Sequence, residues 1–142
     1  MNINEFRKIF GDCEIIGSKI YISSDIVNVL NFIQMNYHFD LLKEIIAVDH
    51  GNNQIELIYK LYSTENEENI LIATMVEDKA MSVSKIYDSA VADEKEIYDL
   101  FGVMFIGNDE LKRLYMPEGW EGHPLKKDYV QNDERLSWNE EI

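Results

Sequence analysis

The chain has 142 residues, 46% of them hydrophobic, and its 13 Lys and Arg against 27 Asp and Glu give a formal charge of −14. That length supplies one ordinary hydrophobic core and is short for two. The acidic excess repels a phosphate backbone or an anionic lipid surface over most of the molecule, so nucleic acid is not an expected partner, and the lone Cys13 excludes an internal disulfide or an iron–sulfur cluster held by this chain alone.

The N-terminal stretch MNINEFRKIFGD reads as a short amphipathic helix with Ile3, Phe6 and Phe10 on one side. It carries no apolar signal core, which argues for a cytoplasmic chain. Cys13 to Ile16 and Lys19 to Ile22 flank Gly17-Ser18, a two-residue hairpin connection. Ser23 or Ser24 is placed to cap the next helix, in which Ile26, Leu30, Ile33 and Tyr37 recur at spacings of four, three and four and form a core-facing stripe. Three strands follow, Leu42 to Asp49, Ile55 to Tyr62 and Asn69 to Val76, with Gly51-Asn52-Asn53 and the acidic run Ser63 to Glu68 as the turns. In the middle strand Ile55, Leu57, Tyr59 and Leu61 alternate with Glu56, Ile58, Lys60 and Tyr62. Tyr62 on the second face reads either as a surface residue shielding a neighbour or as the mark of a docking surface. The order helix, two strands, helix, three strands predicts an α+β fold in two layers, a mixed sheet of about five strands covered by helices. The longest nearly uninterrupted apolar run, Ile70 to Val76, falls well short of the roughly 20 residues that a membrane helix needs.

Within Ser84 to Phe101, the residues Ala90, Ile97 and Phe101 share one helical face while Asp93, Glu94 and Glu96 crowd the other, and Gly102 stops the helix. Glu94 and Glu96 read either as a solvated face near a helix N-terminus or as half of a salt-bridge set with downstream lysines or a partner. Val103 to Phe105 is a short apolar run, after which Gly107, Pro117, Gly119, Gly122 and Pro124 leave little periodicity for a core. Two cationic pairs, Lys112/Arg113 and Lys126/Lys127, lie on this stretch. The expected division is therefore an α+β domain over 1–102 and an extended partner-binding arm with an acidic tail over 103–142. His38, His50 and His123 have no ligand-like spacing, and no Gly-rich phosphate loop, GxSxG or Cys/His couple occurs, so neither a metal site nor catalysis is expected on this chain.

The order Glu-(basic)-Glu-x-Tyr-Asp-Leu-Phe-Gly-Val-x-Phe from Glu94, then (basic)-Arg-Leu at Lys112, then Gly-His-Pro-Leu-Lys-Lys-Asp-Tyr ending at Tyr129 resembles the signature of the 30-kDa subunit (the C subunit) of respiratory complex I. The same family supplies a small subunit to the related membrane-bound NiFe hydrogenases. Glu94, Glu96, Asp99, Phe101, Gly102, Arg113, Pro124, Leu125, Lys127, Asp128 and Tyr129 coincide with its pattern. Lys95 stands where an arginine is usual, Ala92 where a tryptophan is usual, Asn108-Asp109 where His-Pro is usual, and Lys126 where another arginine is usual. Lysine keeps the charge but loses the planar fork that grips a carboxylate with two bonds. The loss of His-Pro leans the reading toward the hydrogenase-like branch.

The resemblance implies a non-catalytic structural and assembly subunit in the peripheral arm of a complex-I-like membrane-bound oxidoreductase, of NiFe hydrogenase type first and NADH:quinone oxidoreductase type second. A free-standing protein-binding adaptor is the reading from another class. The implied partners are a large subunit related to the NiFe hydrogenase large chain, an iron–sulfur small subunit and, indirectly, membrane subunits. This chain would hold no cofactor; iron–sulfur clusters and a NiFe centre or flavin would belong to its neighbours. The partner-facing residues expected are Glu94, Glu96, Asp99, Phe101, Gly102, Lys112, Arg113, Pro124, Leu125, Lys126, Lys127, Asp128 and Tyr129.

Overall fold

The computed structural model describes residues 3–11, 13–23 and 25–111. The elements run α1 (Ile3–Phe10), β1 (Cys13–Ile16), β2 (Lys19–Ile22), α2 (Ile26–Tyr37), β3 (Leu41–Asp49), β4 (Ile55–Ser63), β5 (Glu68–Val76), β6 (Lys79–Met81), α3 (Ala90–Phe101) and β7 (Met104–Ile106). Five strands form one sheet in the order β1-β2-β5-β4-β3. β2 and β5 run parallel, and the other neighbours run antiparallel. The α+β fold with a five-stranded mixed sheet is thus the one that the residue pattern predicts.

The hairpin of β1 and β2 turns at Gly17, whose φ of 62° is a left-handed conformation that glycine adopts without strain. α2 begins one residue later than a cap at Ser24 allows and two later than a cap at Ser23. Asp25 is its cap, accepting the Val27 N–H at 2.9 Å, because the carboxylate immediately before the helix is the acceptor in reach of the free first-turn donors.

One sheet face is fully covered. Ile20, Ile22, Leu42, Ile45, Ile55, Leu57, Tyr59, Leu61 and Ile72 point into a single cluster with Phe6 of α1, Val29, Leu30 and Ile33 of α2, and Ala90 and Ile97 of α3. Ile58 and Ala73 are also buried but lie outside that cluster, on the opposite face. α3 also closes the outer edge of β3: the Ser89 hydroxyl donates to the Leu42 carbonyl at 2.9 Å and Asp93 accepts the Ile45 N–H at 3.1 Å. These side chains occupy backbone groups that would otherwise template another strand.

The residue pattern assigns Val103 to Phe105 to an arm that starts after Gly102, but the structure places them in the body. β7 pairs in parallel with β6, Ala80 opposite Phe105, and Val103 and Phe105 are buried in the common core. The remainder of the expected arm, from Lys112 onward, lies outside the described residues. Among the described residues no helix is long and apolar enough to cross a membrane.

Candidate partner interface

α3 carries the first block of motif residues, and its two ends are fixed differently. Its N-terminus is held to β3 through Ser89 and Asp93, as above. Its C-terminus closes at Gly102, where φ is 80° and the N–H donates to the Tyr98 carbonyl at 3.0 Å, a left-handed cap that a side chain would strain.

Between those ends, Glu94 has no solvent exposure at all. Its carboxylate accepts the Val83 N–H at 2.8 Å, the Ser82 hydroxyl at 2.6 Å and the Asn108 side-chain amide at 2.9 Å. Asn108 is itself buried, and its side-chain oxygen accepts the Glu110 N–H at 3.0 Å. Glu94 therefore joins three segments: α3, the loop leaving β6, and the turn leaving β7. Burial pushes its pKa above the ordinary carboxylate range, with Asp93 adding to the rise, against the pull of its three hydrogen-bond donors. This is neither the solvated face nor the salt bridge that the sequence suggests, since all three donors are neutral.

Asn108 is a residue that motif reasoning undervalues. In the sequence it stands only as a departure from His-Pro, yet its amide completes the Glu94 site. Asp99 is also fully buried, whereas Glu96 is exposed and Phe101 packs partly against the core. Of the first motif block, then, Glu96 is the acid that faces solvent. Lys112, Arg113, Pro124, Leu125, Lys126, Lys127, Asp128 and Tyr129 lie outside the described residues.

A second polar cluster sits on the opposite sheet face, and no motif points to it. Glu56 of β4 is 3% exposed and accepts from Lys19 Nζ at 2.9 Å and Tyr21 Oη at 2.6 Å, with His50 Nε2 at 2.7 Å from its other oxygen. Lys19 and Tyr21 reach it from β2 across β5, where Ala73 is small enough to lie beneath them. Burial pushes the Glu56 carboxyl upward, but the Tyr21, Lys19 and His50 contacts outweigh it and hold the pKa down at about 2. The strand alternation already places Glu56 on this face; its partners on β2 are invisible in sequence because the β2–β5 pairing joins strands far apart along the chain.

Comparison with known proteins bears on what such a body is for. The family model described as "Respiratory-chain NADH dehydrogenase, 30 Kd subunit" matches residues 20–135. The chain belongs to this family. Its relatives include the NADH-quinone oxidoreductase C subunit of Geobacter metallireducens, 35% identical over 111 residues, which are 74% of this chain and 68% of the relative. The NADH-quinone oxidoreductase C/D subunit of Phocaeicola vulgatus is 34% identical over 99 residues, 67% of this chain but 19% of that longer protein. The mitochondrial NADH-ubiquinone oxidoreductase 30.4 kDa subunit of Neurospora crassa is 34% identical over 117 residues, 78% of this chain and 41% of the relative. These relatives favour the NADH:quinone oxidoreductase branch over the hydrogenase-type branch toward which Asn108-Asp109 leans.

Proposed function

We propose that this chain is the non-catalytic 30-kDa-type subunit of a complex-I-like NADH:quinone oxidoreductase, seated in the peripheral arm on the cytoplasmic face and held to the membrane through other subunits. The observation that carries the reading is the family match over residues 20–135, together with relatives named as NADH-quinone oxidoreductase subunits. The body supplies a scaffold in which α3 and the turn after β7 are held together through Glu94, so that the chain after Leu111 leaves from a fixed point. The following segment lies along the large subunit, where Lys112/Arg113 and Lys126/Lys127 pair with carboxylates and Pro124 keeps the chain extended between contacts. Glu96, exposed on α3, belongs to the same contact. Iron–sulfur clusters and flavin are carried by neighbouring subunits. A hydrogenase-type assembly is the second reading, with a NiFe centre in the large subunit.

Affinity purification of the chain from its own cells in mild detergent tests this. Recovery of a large subunit, an iron–sulfur small subunit and a flavin-bearing NADH-binding subunit is the expected outcome; a NiFe-bearing large subunit without the flavin subunit selects the second reading. Changing Lys126→Glu and Lys127→Glu together lowers incorporation by about tenfold or more and leaves the melting temperature of the isolated chain unchanged. A melting temperature that falls in step with incorporation overturns the interface assignment.

A further inference from the structure

The turn over 107–111 hangs between a firm attachment and a weaker one. Before it, the Ser82 N–H donates to the Ile106 carbonyl at 2.8 Å beside the β6–β7 pair. Within it the main-chain bonds are long, 3.3 Å from the Asn108 N–H to the Phe105 carbonyl and 3.4 Å from the Leu111 N–H to the Asn108 carbonyl. Its shortest tie to the other described residues is the 2.9 Å bond from the Asn108 side chain to Glu94, the same amide lying 3.4 Å from the Val91 carbonyl. Gly107 stands between the two attachments with φ at 102°, a conformation that glycine adopts freely and that suits a hinge. Gly107, Asp109 and Glu110 are exposed, so moving the turn uncovers little beyond Asn108 and the half-buried Leu111.

That tie ends on a carboxyl group without a cation. Among the described residues Lys79 on β6, Lys85 beyond Ser84 and Lys95 on α3 form no ion pair with Glu94. Asp93 lies beside it on α3, with Glu44 of β3 behind, and Asp109 and Glu110 follow Asn108 on the turn. Tyr59 approaches from β4 as a neutral phenol, and β7 brings only Met104, Phe105 and Ile106. Burial and Asp93 favour the protonated carboxyl, and they outweigh the pull of Ser82, Val83 and Asn108. An ionised Glu94 gains from contact with water, and of the three segments that it joins the turn is the one at the surface, whereas Val83 and α3 are built into the core. We propose that residues 107–111 are a latch that swings about Gly107 when Glu94 loses its proton, freeing the point from which the chain continues after Leu111. The closed turn binds the proton more tightly than the open one does, so the open fraction rises with pH from near the ordinary carboxyl value of 4.5 and levels off above the folded value. The latch belongs to the chain by itself and stands apart from the subunit reading.

Amide hydrogen exchange of the full chain, read residue by residue by NMR from about pH 5 to about pH 8, tests the latch. After correction for the intrinsic base-catalysed rate, opening at the Val83 and Glu110 amides rises by about tenfold per pH unit up to the folded value of Glu94 and then stays level. Both amides exchange faster than those of the β4–β5 ladder throughout, because the turn opens without the sheet. Glu94→Gln keeps the shape, cannot ionise and removes the rise; should that variant not fold, the profile of the parent chain decides alone. A flat parent profile, whether the two amides are protected or not, overturns the latch. So does a rise that survives Glu94→Gln, which assigns the titration to Asp93 or to the acids of the turn. Val83 and Glu110 amides as slow as the β4–β5 ladder at every pH overturn it as well, since the turn then opens only with the whole fold. Each of these outcomes leaves the subunit reading untouched.

Discussion

Glu56 and Glu94 are the same residue type, each almost wholly withdrawn from water, and their surroundings give them opposite character. Glu56, on the open sheet face, meets Lys19, Tyr21 and His50, and its carboxyl is held down at about 2. Glu94, between α3 and the β6–β7 pair, meets a backbone N–H, a hydroxyl and an amide, and burial drives its carboxyl upward. Burial alone therefore says little about what a carboxylate does. A cationic partner keeps Glu56 ionised at the surface of the sheet, whereas neutral donors make Glu94 a joint between segments at an electrostatic cost.

The contrast predicts unequal costs of removal. Glu94→Ala leaves the buried Val83 N–H without an acceptor and the Asn108 amide with only its longer bond to the Val91 carbonyl at 3.4 Å, and costs about 3 kcal/mol. Glu56→Ala costs about 1 kcal/mol, because Lys19 is 29% exposed and swings its ammonium into solvent. Urea unfolding at neutral pH separates the two. Equal losses would mean that the donors around Glu94 relax as easily as a surface lysine, and the joint would lose its standing.

The two carboxyls also tilt stability with pH in opposite directions. Glu56 is depressed below the ordinary value of 4.5, so its contribution is complete above that pH and is lost as pH falls toward about 2. Glu94 is raised above 4.5, so the folded state holds its proton more tightly than the unfolded chain does; its contribution is complete below that pH and is lost as pH climbs through the folded value. Glu56→Gln flattens the acid limb of a melting-temperature profile between about pH 2 and 4.5. Glu94→Gln removes a decline that begins above about pH 4.5. Profiles that change on the same limb in both variants would show that the two sites are not electrostatic opposites.

Why the sequence reaches the sheet and not these sites follows from range. Gly17-Ser18, the Ile26–Leu30–Ile33 stripe and the alternation through Ile55 to Leu61 are local patterns, and each predicts its element where the structure has it. β6 escapes such a reading because three residues have no measurable period, and its partner β7 lies beyond the whole of α3. Glu94 looks like a surface acid because its donors at Val83 and Asn108 sit more than ten residues away on either side and one is main chain. The alternation in β4 separates Glu56 and Ile58 from Tyr59 correctly, but two faces of a strand look alike until helices choose one. The motif residues from Lys112 onward lie outside the described residues, so the family resemblance, borne out by comparison, remains their only guide.

Two tyrosines provide the smallest and sharpest test. Tyr59 is fully buried beside the Glu94 region, its hydroxyl has no hydrogen-bond partner among the described residues, and burial, with Glu94 adding to it, pushes its pKa far upward. Tyr87 is almost as buried, but its hydroxyl donates to the Phe39 carbonyl at 2.6 Å. Removing an oxygen that has no partner relieves a desolvation cost, so Tyr59→Phe leaves stability within about 0.5 kcal/mol of the parent or raises it. Removing one that satisfies a buried carbonyl costs about 1 kcal/mol, so Tyr87→Phe falls below the parent by that amount. Thermal melts of the two variants side by side suffice. A Tyr59→Phe loss as large as that of Tyr87→Phe would mean that the Tyr59 hydroxyl is bonded in solution, with the Glu94 carboxylate as the candidate acceptor, and the joint would then hold four donors instead of three.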